Sequence, residues 1–97
     1  MNEVEFRKWM IQQNKNTKVI SDCVSRLKRI EKELNYCDID KEYYIDRCEK
    51  ILITFSNMGK NEEMEKYHNT NLPIGKYYMN TYRLAIKQYI RFMDSMK

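Results

Sequence analysis

The sequence predicts an all-α protein, a compact bundle of four to five helices formed by a single helical domain over residues 1–97. Apolar residues recur at intervals of three and four over long stretches, which is the period of a helix with one buried side. The sequence shows neither the alternation of a strand nor the Asn-Gly and Asp-Gly turns of β-hairpins. Its 97 residues include only two glycines and one proline, so few positions interrupt helices.

Length and composition limit the class of protein further. A chain of 97 residues can bury one modest core without disulfides or metals, and 42% hydrophobic residues favour a folded chain. Its apolar runs are far shorter than the roughly 20 residues of a membrane-spanning helix. The N-terminal stretch MNEVEFRKW lacks the apolar region of a signal peptide. We therefore expect a cytoplasmic protein without a membrane partner.

The N-terminal third predicts two helices. The first is expected from Asn2 to Gln13, followed by a polar break. Thr17 is a suitable N-cap for the second, because its hydroxyl can accept a hydrogen bond from a free amide of the first turn. This helix is expected to run to about Asn35. Its apolar residues lie within about 100° of arc, which predicts a buried stripe, here called a seam: Ile20, Cys23, Val24, Leu27, Ile30 and Leu34.

A third helix is predicted after residue 38, with Asp38 and Asp40 as competing caps and Gly59 as the C-terminal stop. Its predicted outer face is acidic and carries Glu42, Asp46 and Glu49. The apolar residues between these bounds predict the third seam: Tyr44, Ile45, Cys48, Ile51, Leu52 and Phe55.

The C-terminal third predicts one long helix. A short helix is expected over Glu62–Tyr67, and HNTNLPIG then forms a connection because of its Asn, Pro and Gly residues. The last helix is expected to begin near Lys76. Its predicted seam consists of Tyr82, Ala85, Ile86, Tyr89 and Met93, whereas Tyr77, Leu84 and Phe92 lie outside the seam.

Charge is distributed unevenly along the chain. Residues 1–35 hold eight Lys/Arg against five Asp/Glu, residues 36–68 five against eight, and residues 69–97 five against one. In the last helix the cations share an arc of about 80° and follow one another about 6 Å apart, a spacing that suits neighbouring phosphates. The candidate nucleic-acid-binding residues are Lys18, Lys28, Arg29 and Lys32 of helix two, and Lys76, Asn80, Arg83, Lys87 and Arg91 of the last helix.

Candidate catalytic and metal-binding patterns are few. The three cysteines, Cys23, Cys37 and Cys48, have neither the number of a disulfide framework nor the spacing of a zinc site. His68 is the only histidine, and no nucleophile-base set or phosphate-binding loop accompanies it. We expect a protein that is not an enzyme and that uses no metal or cofactor.

Two stretches resemble a known family. FRKWMIQQNKNTKVISDCVSRLKRIEKEL and the distant YRLAIKQYIRFM are similar to the N-terminal SAM-like core-binding domain of tyrosine recombinases and phage integrases. The similarity consists of an aromatic first helix, an Asn16-Thr17 entry into a basic helix, and a last helix with apolar residues from Leu84 to Phe92.

The resemblance implies a four-helix bundle that grips duplex DNA. The groups similar to those that hold the DNA backbone in the family are Lys28, Arg29, Lys32, Arg83, Lys87 and Arg91. The catalytic domain of the recombinases, with its two arginines, H-x-x-R and nucleophilic tyrosine, has no counterpart in this sequence. The resemblance therefore implies DNA binding, and strand cleavage cannot be inferred from it.

Two functions of different class remain open. The first is a DNA-binding module or accessory protein of a mobile element, which grips duplex phosphates with two basic helices. The second is a small phage or mobile-element protein that inhibits a host defence nuclease by protein-protein contact. It would use either the cationic faces or the acidic face of the third helix.

Overall fold

The structure is a computed structural model that describes residues 1–96. Its described residues form helices and turns without a strand, which confirms the all-α class. The predicted third helix is two helices, so the bundle has six. In chain order the elements are α1 (Glu3–Gln12), α2 (Thr17–Glu33), α3 (Ile39–Asp46), α4 (Glu49–Thr54), a 3₁₀ turn (Ser56–Gly59), α5 (Glu62–Glu65) and α6 (Met79–Ser95).

Asparagine side chains start several of these helices. Asn2, Asn16 and Asn61 each accept a hydrogen bond from an amide three residues later, at the beginning of α1, α2 and α5. Asn16 has extended backbone angles, and its side chain lies 2.8 Å from the amide of Val19. The prediction of Thr17 as the N-cap was therefore wrong by one residue. Asparagine is at least as good a cap as threonine, and it precedes Thr17.

The core forms between α2, α6 and the elements that cover them. The helices α2 and α6 run antiparallel, since Arg29 near the end of α2 meets Tyr82 near the start of α6. All residues of the two seams predicted for these helices are buried, as predicted. Phe92 was predicted to lie outside the seam, but it is only 2% exposed. The rings of Phe6 and Trp9 in α1 cover it at 5.4 and 6.0 Å, so α6 is buried on two sides.

The predicted third helix is broken at its centre. Arg47 and Cys48 both have left-handed backbone angles, with φ of 58° and 62°, and they separate α3 from α4. The break rotates α3 relative to the predicted seam. Tyr44 and Ile45 are consequently 77% and 65% exposed, and Tyr43 is buried instead. The acidic face predicted for one continuous helix is divided for the same reason.

The segment between α4 and α6 also departs from prediction. Gly59 ends the 3₁₀ turn rather than the predicted third helix, which stops at Thr54. Glycine is required at position 59, because φ is +80° and a Cβ there would lie 2.9 Å from Cε of Met79. The last helix begins at Met79, so Lys76 lies in the preceding turn and not in α6.

The difference between the predicted and observed seams can be tested by two substitutions. Leu27 is completely buried, so Leu27→Ala should lower the free energy of unfolding by about 2–5 kcal/mol through lost burial and a residual cavity. Ile45→Ala removes an exposed side chain and should change it by less than about 0.5 kcal/mol. Urea unfolding followed by circular dichroism measures both, and a large loss for Ile45→Ala would contradict the observed break.

Candidate nucleic-acid interface

Polar contacts on its inner side fix the rotation of α6. The hydroxyl of Tyr89, a fully buried residue, accepts a hydrogen bond from the amide of Asn2 at 2.7 Å and donates one to the carboxylate of Asp40. Five residues after Tyr89, near the C-terminus of α6, Asp94 accepts a hydrogen bond from Nε of Arg47 at 3.1 Å. These contacts tie α6 to α1, α3 and the α3–α4 break.

The start of α6 is held by a clamp from α2. Arg29 donates from Nη1 to the hydroxyl of Tyr82 at 2.8 Å and from Nη2 to the carbonyl of Asn71 at 2.7 Å. Glu33 accepts from the amide of Asn71 at 2.8 Å and from the hydroxyl of Thr70 at 3.2 Å. The backbone hydrogen bond from Asn71 holds the pKa of Glu33 below its ordinary value of 4.5. The two side chains together position the connection that leads into α6.

The outer side of α6 is cationic. Asn80, Lys87 and Arg91 are exposed and Arg83 is half-buried. Successive cations in this row are four residues apart, so their Cα atoms are separated by about 6 Å along the axis. Neither Lys87 nor Arg91 forms an ion pair within residues 1–96. The structure thus presents the predicted row to solvent, although Nε of Arg83 is buried without a hydrogen-bond partner in the described chain.

The cations predicted on α2 do not form one surface. Lys28 pairs with Glu3 of α1 at 2.8 Å, whereas Lys32 lines a cleft beside Glu33 and Asn71. Arg29 reaches α6, where the clamp described above occupies its guanidinium. Lys18 is exposed, and it lies close to the direction of Arg29 because eleven residues make about three turns.

The sequence did not predict that two further cations of the N-terminal half lie beside α6. Lys15 and Arg26 line a groove of about 200 Å³ between α2 and α6. The same groove contains Leu84, which precedes Lys87 by three residues, so the groove adjoins the cationic row. The groove lining includes no carboxylate. One feature of the sequence indicated this site. Leu84 is an apolar residue of the last helix that lies outside its predicted seam.

Groups that could support chemistry are scattered. His68 is exposed, and among residues 1–96 no cluster of three His, Cys, Asp or Glu side chains could hold a metal ion. Cys23 and Cys48 are buried as predicted, and burial raises the pKa of their thiols to about 11 and about 12. None of the helices in residues 1–96 is long and apolar enough to cross a membrane.

Comparisons with protein-family models, with curated proteins and with solved structures find no match to this chain. The resemblance to the core-binding domains of recombinases therefore stays a prediction. The function has to be argued from the geometry of α6 and of the groove beside it.

The contribution of the clamp should depend on pH. The pKa of Glu33 is lower in the folded chain than its ordinary value of 4.5, so ionised Glu33 stabilises the fold above about pH 4.5. This stabilisation is lost as the pH falls through the lowered pKa. Glu33→Gln should therefore unfold more easily than the wild type at neutral pH, and the difference should shrink as the pH falls below about 4.5 and through the lowered pKa of Glu33. Urea unfolding across this range measures it, and a difference that is constant with pH would contradict the role of the ionised carboxylate.

Proposed function

We propose that the protein is a non-catalytic module that binds the phosphate backbone of duplex DNA through the outer side of α6. The observation that carries the proposal is the exposed row of Lys87 and Arg91, free of ion pairs within the described residues and continuous with the half-buried Arg83. The one acidic residue of α6, Asp94, lies three residues after Arg91, and its carboxylate is bonded to Arg47. From Asn80 to Arg91, the residues of α6 that a phosphate backbone would meet on this side are cationic or neutral.

The chemistry of the row suits backbone binding. Duplex DNA carries about one negative charge per 1.7 Å of its axis, so cations spaced about 6 Å apart can each address a phosphate. The guanidinium of Arg91 can donate two parallel hydrogen bonds to one phosphate. Asn80 is exposed on the same arc and can donate to a phosphate or a base edge. Such contacts bind DNA with little dependence on its sequence.

Other cations extend this surface. Arg26 and Lys15 line the groove that adjoins the row, and Lys18 is exposed on the α2 flank nearest to it. Lys28 is paired with Glu3 of α1 and Lys32 lines a cleft beside Asn71, so we assign them no contact with the same duplex. The surface that we propose thus contains the row on α6, the two groove cations and Lys18.

The resemblance to recombinase core-binding domains supports the same activity. In its light, the protein is a SAM-like module or a stand-alone accessory protein of a mobile element. The clamp of Arg29 and Glu33 gives a structural reason for part of the charge on α2, which does not require contact with DNA. Two of its charged residues hold the entry into α6.

A protein-protein role is the second candidate function, as expected for an inhibitor of a host nuclease. It is favoured by Leu84, which is 60% exposed next to the cationic row. The acidic face that such an inhibitor could have used is less suitable, because the α3–α4 break divides it and leaves Glu42 and Asp46 half-buried.

Retention on heparin together with gel shifts of unrelated duplexes supports DNA binding, whereas no retention and a stable complex with a nuclease supports the inhibitor.

Charge reversal of the exposed row tests the first proposal. Lys87→Glu combined with Arg91→Glu should leave the helical content unchanged and abolish duplex binding, because both side chains point to solvent and only the phosphate contacts are lost. This pair is a cleaner test than one that includes Arg83, which is half-buried. The matched control is Lys41→Glu with Lys50→Glu, which makes the same change in net charge on α3 and α4. Equal duplex binding by the two double variants would contradict the proposal.

Salt dependence tests how the duplex is bound. Neutralising about four to six phosphates predicts that the logarithm of the association constant falls against the logarithm of salt concentration with a slope of about −4 to −5. Fluorescence anisotropy with two duplexes of unrelated sequence should give the same slope for both. A slope near zero would show that the binding does not rest on phosphate contacts.

A further inference from the structure

The groove between α2 and α6 exposes apolar side chains that phosphate binding does not use. Leu84 of α6 is 60% exposed and Val19 of α2 is 44% exposed, and both line the groove above Ala85 and Met10. Exposed leucine and valine side chains next to each other are a recurrent feature of surfaces that bind other proteins. A DNA backbone gains nothing from them, because its outer surface consists of charged and polar groups.

We propose that this groove is a docking site for an amphipathic helix with acidic flanks, supplied by a protein partner. The charge of the groove selects this class of occupant. Lys15 and Arg26 belong to its lining, which contains no carboxylate. An occupant with Glu or Asp beside its apolar residues is therefore complementary to the groove, and one with Lys or Arg is repelled.

The shape of the groove favours a helix over an extended peptide. Its walls are two antiparallel helices, which receive the apolar side of a third helix as in other helix-in-groove complexes. A peptide that binds by adding a strand would need the open edge of a sheet, and residues 1–96 contain no strand. The groove volume of about 200 Å³ accommodates an inserted side chain of the size of leucine or phenylalanine, since an apolar cavity of about 150 Å³ already holds benzene.

An unmet hydrogen bond also marks the groove. Gln88 lines it one turn after Leu84, and the side-chain oxygen of Gln88 is buried without a partner in the described residues. A buried acceptor without a donor carries a desolvation cost. Because this oxygen is not accessible to solvent, an occupant of the groove can bond to it only if the Gln88 side chain turns towards the groove.

Three synthetic peptides test the proposal. They carry the same leucines at helical spacing and differ only in their polar face, which is Glu, Gln or Lys, and each is labelled with fluorescein. The Glu peptide should bind most tightly, the Gln peptide more weakly and the Lys peptide least, as measured by fluorescence anisotropy. Binding of the Lys peptide as tightly as the Glu peptide would overturn the proposal, as would no binding of the Glu peptide.

Substitutions place the peptide in the groove. Leu84→Ser should weaken binding of the Glu peptide by about tenfold or more, as for a central apolar contact. The matched control is Ile45→Ser, a similarly exposed apolar residue on α3. Arg26→Gln should weaken the Glu peptide and leave the Gln peptide almost unchanged. Equal effects of Leu84→Ser and Ile45→Ser would overturn the assignment of the groove.

The docking proposal does not rest on DNA binding, and the same variants separate the two. Leu84→Ser should lose the Glu peptide and still bind a duplex, because it leaves every cation in place. Lys87→Glu with Arg91→Glu should lose the duplex and retain most of its affinity for the Gln peptide. If no duplex binds to any variant, the peptide results still decide the role of the groove.

Discussion

The anchoring of α6 from its inner side is the constraint on which the rest of the structure depends. Tyr82 is held by Arg29 of α2, Tyr89 by Asn2 and Asp40, and Asp94 by Arg47 at the α3–α4 break. Each contact joins α6 to a different part of the chain, and together they fix its rotation over its whole length. Because Tyr82 and Tyr89 are anchored on the buried side of α6, Lys87 and Arg91 are left exposed to water. The surface that we propose to bind DNA thus follows from the way the core fixes α6.

The sequence was most informative for the two long helices of the core. In α2 and α6, both 17 residues, every predicted seam residue is buried, since an error in phase would expose a whole apolar stripe. In the third seam, Cys48, Ile51 and Phe55 are buried as predicted. Tyr44 and Ile45 are exposed instead, because two left-handed residues, Arg47 and Cys48, change the helix phase between α3 and α4. The guanidinium of Arg47 bonds to Asp94 from α6, a contact 47 residues away that no local pattern reveals.

The candidate site also contains one part that the sequence predicts and one part that depends on the fold. The row of Arg83, Lys87 and Arg91 follows from helix geometry alone, and it was predictable. Whether a cation is free depends on its neighbours in the fold, so the pairing of Lys28 with Glu3 could not be read from their spacing of 25 residues. The groove is formed by two helices together, so a pattern within one helix does not reveal it. The one sequence feature that indicated it was the position of Leu84 outside the predicted seam. The surface that results combines positive charge with exposed apolar groups, which suits a phosphate backbone beside a protein helix.

The central claim is that the solvent-facing side of α6 is the surface that meets DNA. Titration of the ¹⁵N-labelled protein with a short duplex, followed by amide chemical-shift changes, tests it most directly. If α6 binds DNA, the shifted amides should cluster in residues 80–91 of α6 and around Arg26, with those of α3 almost unchanged. Shifts concentrated in α3 and α4, or an unchanged spectrum at low salt, would contradict it.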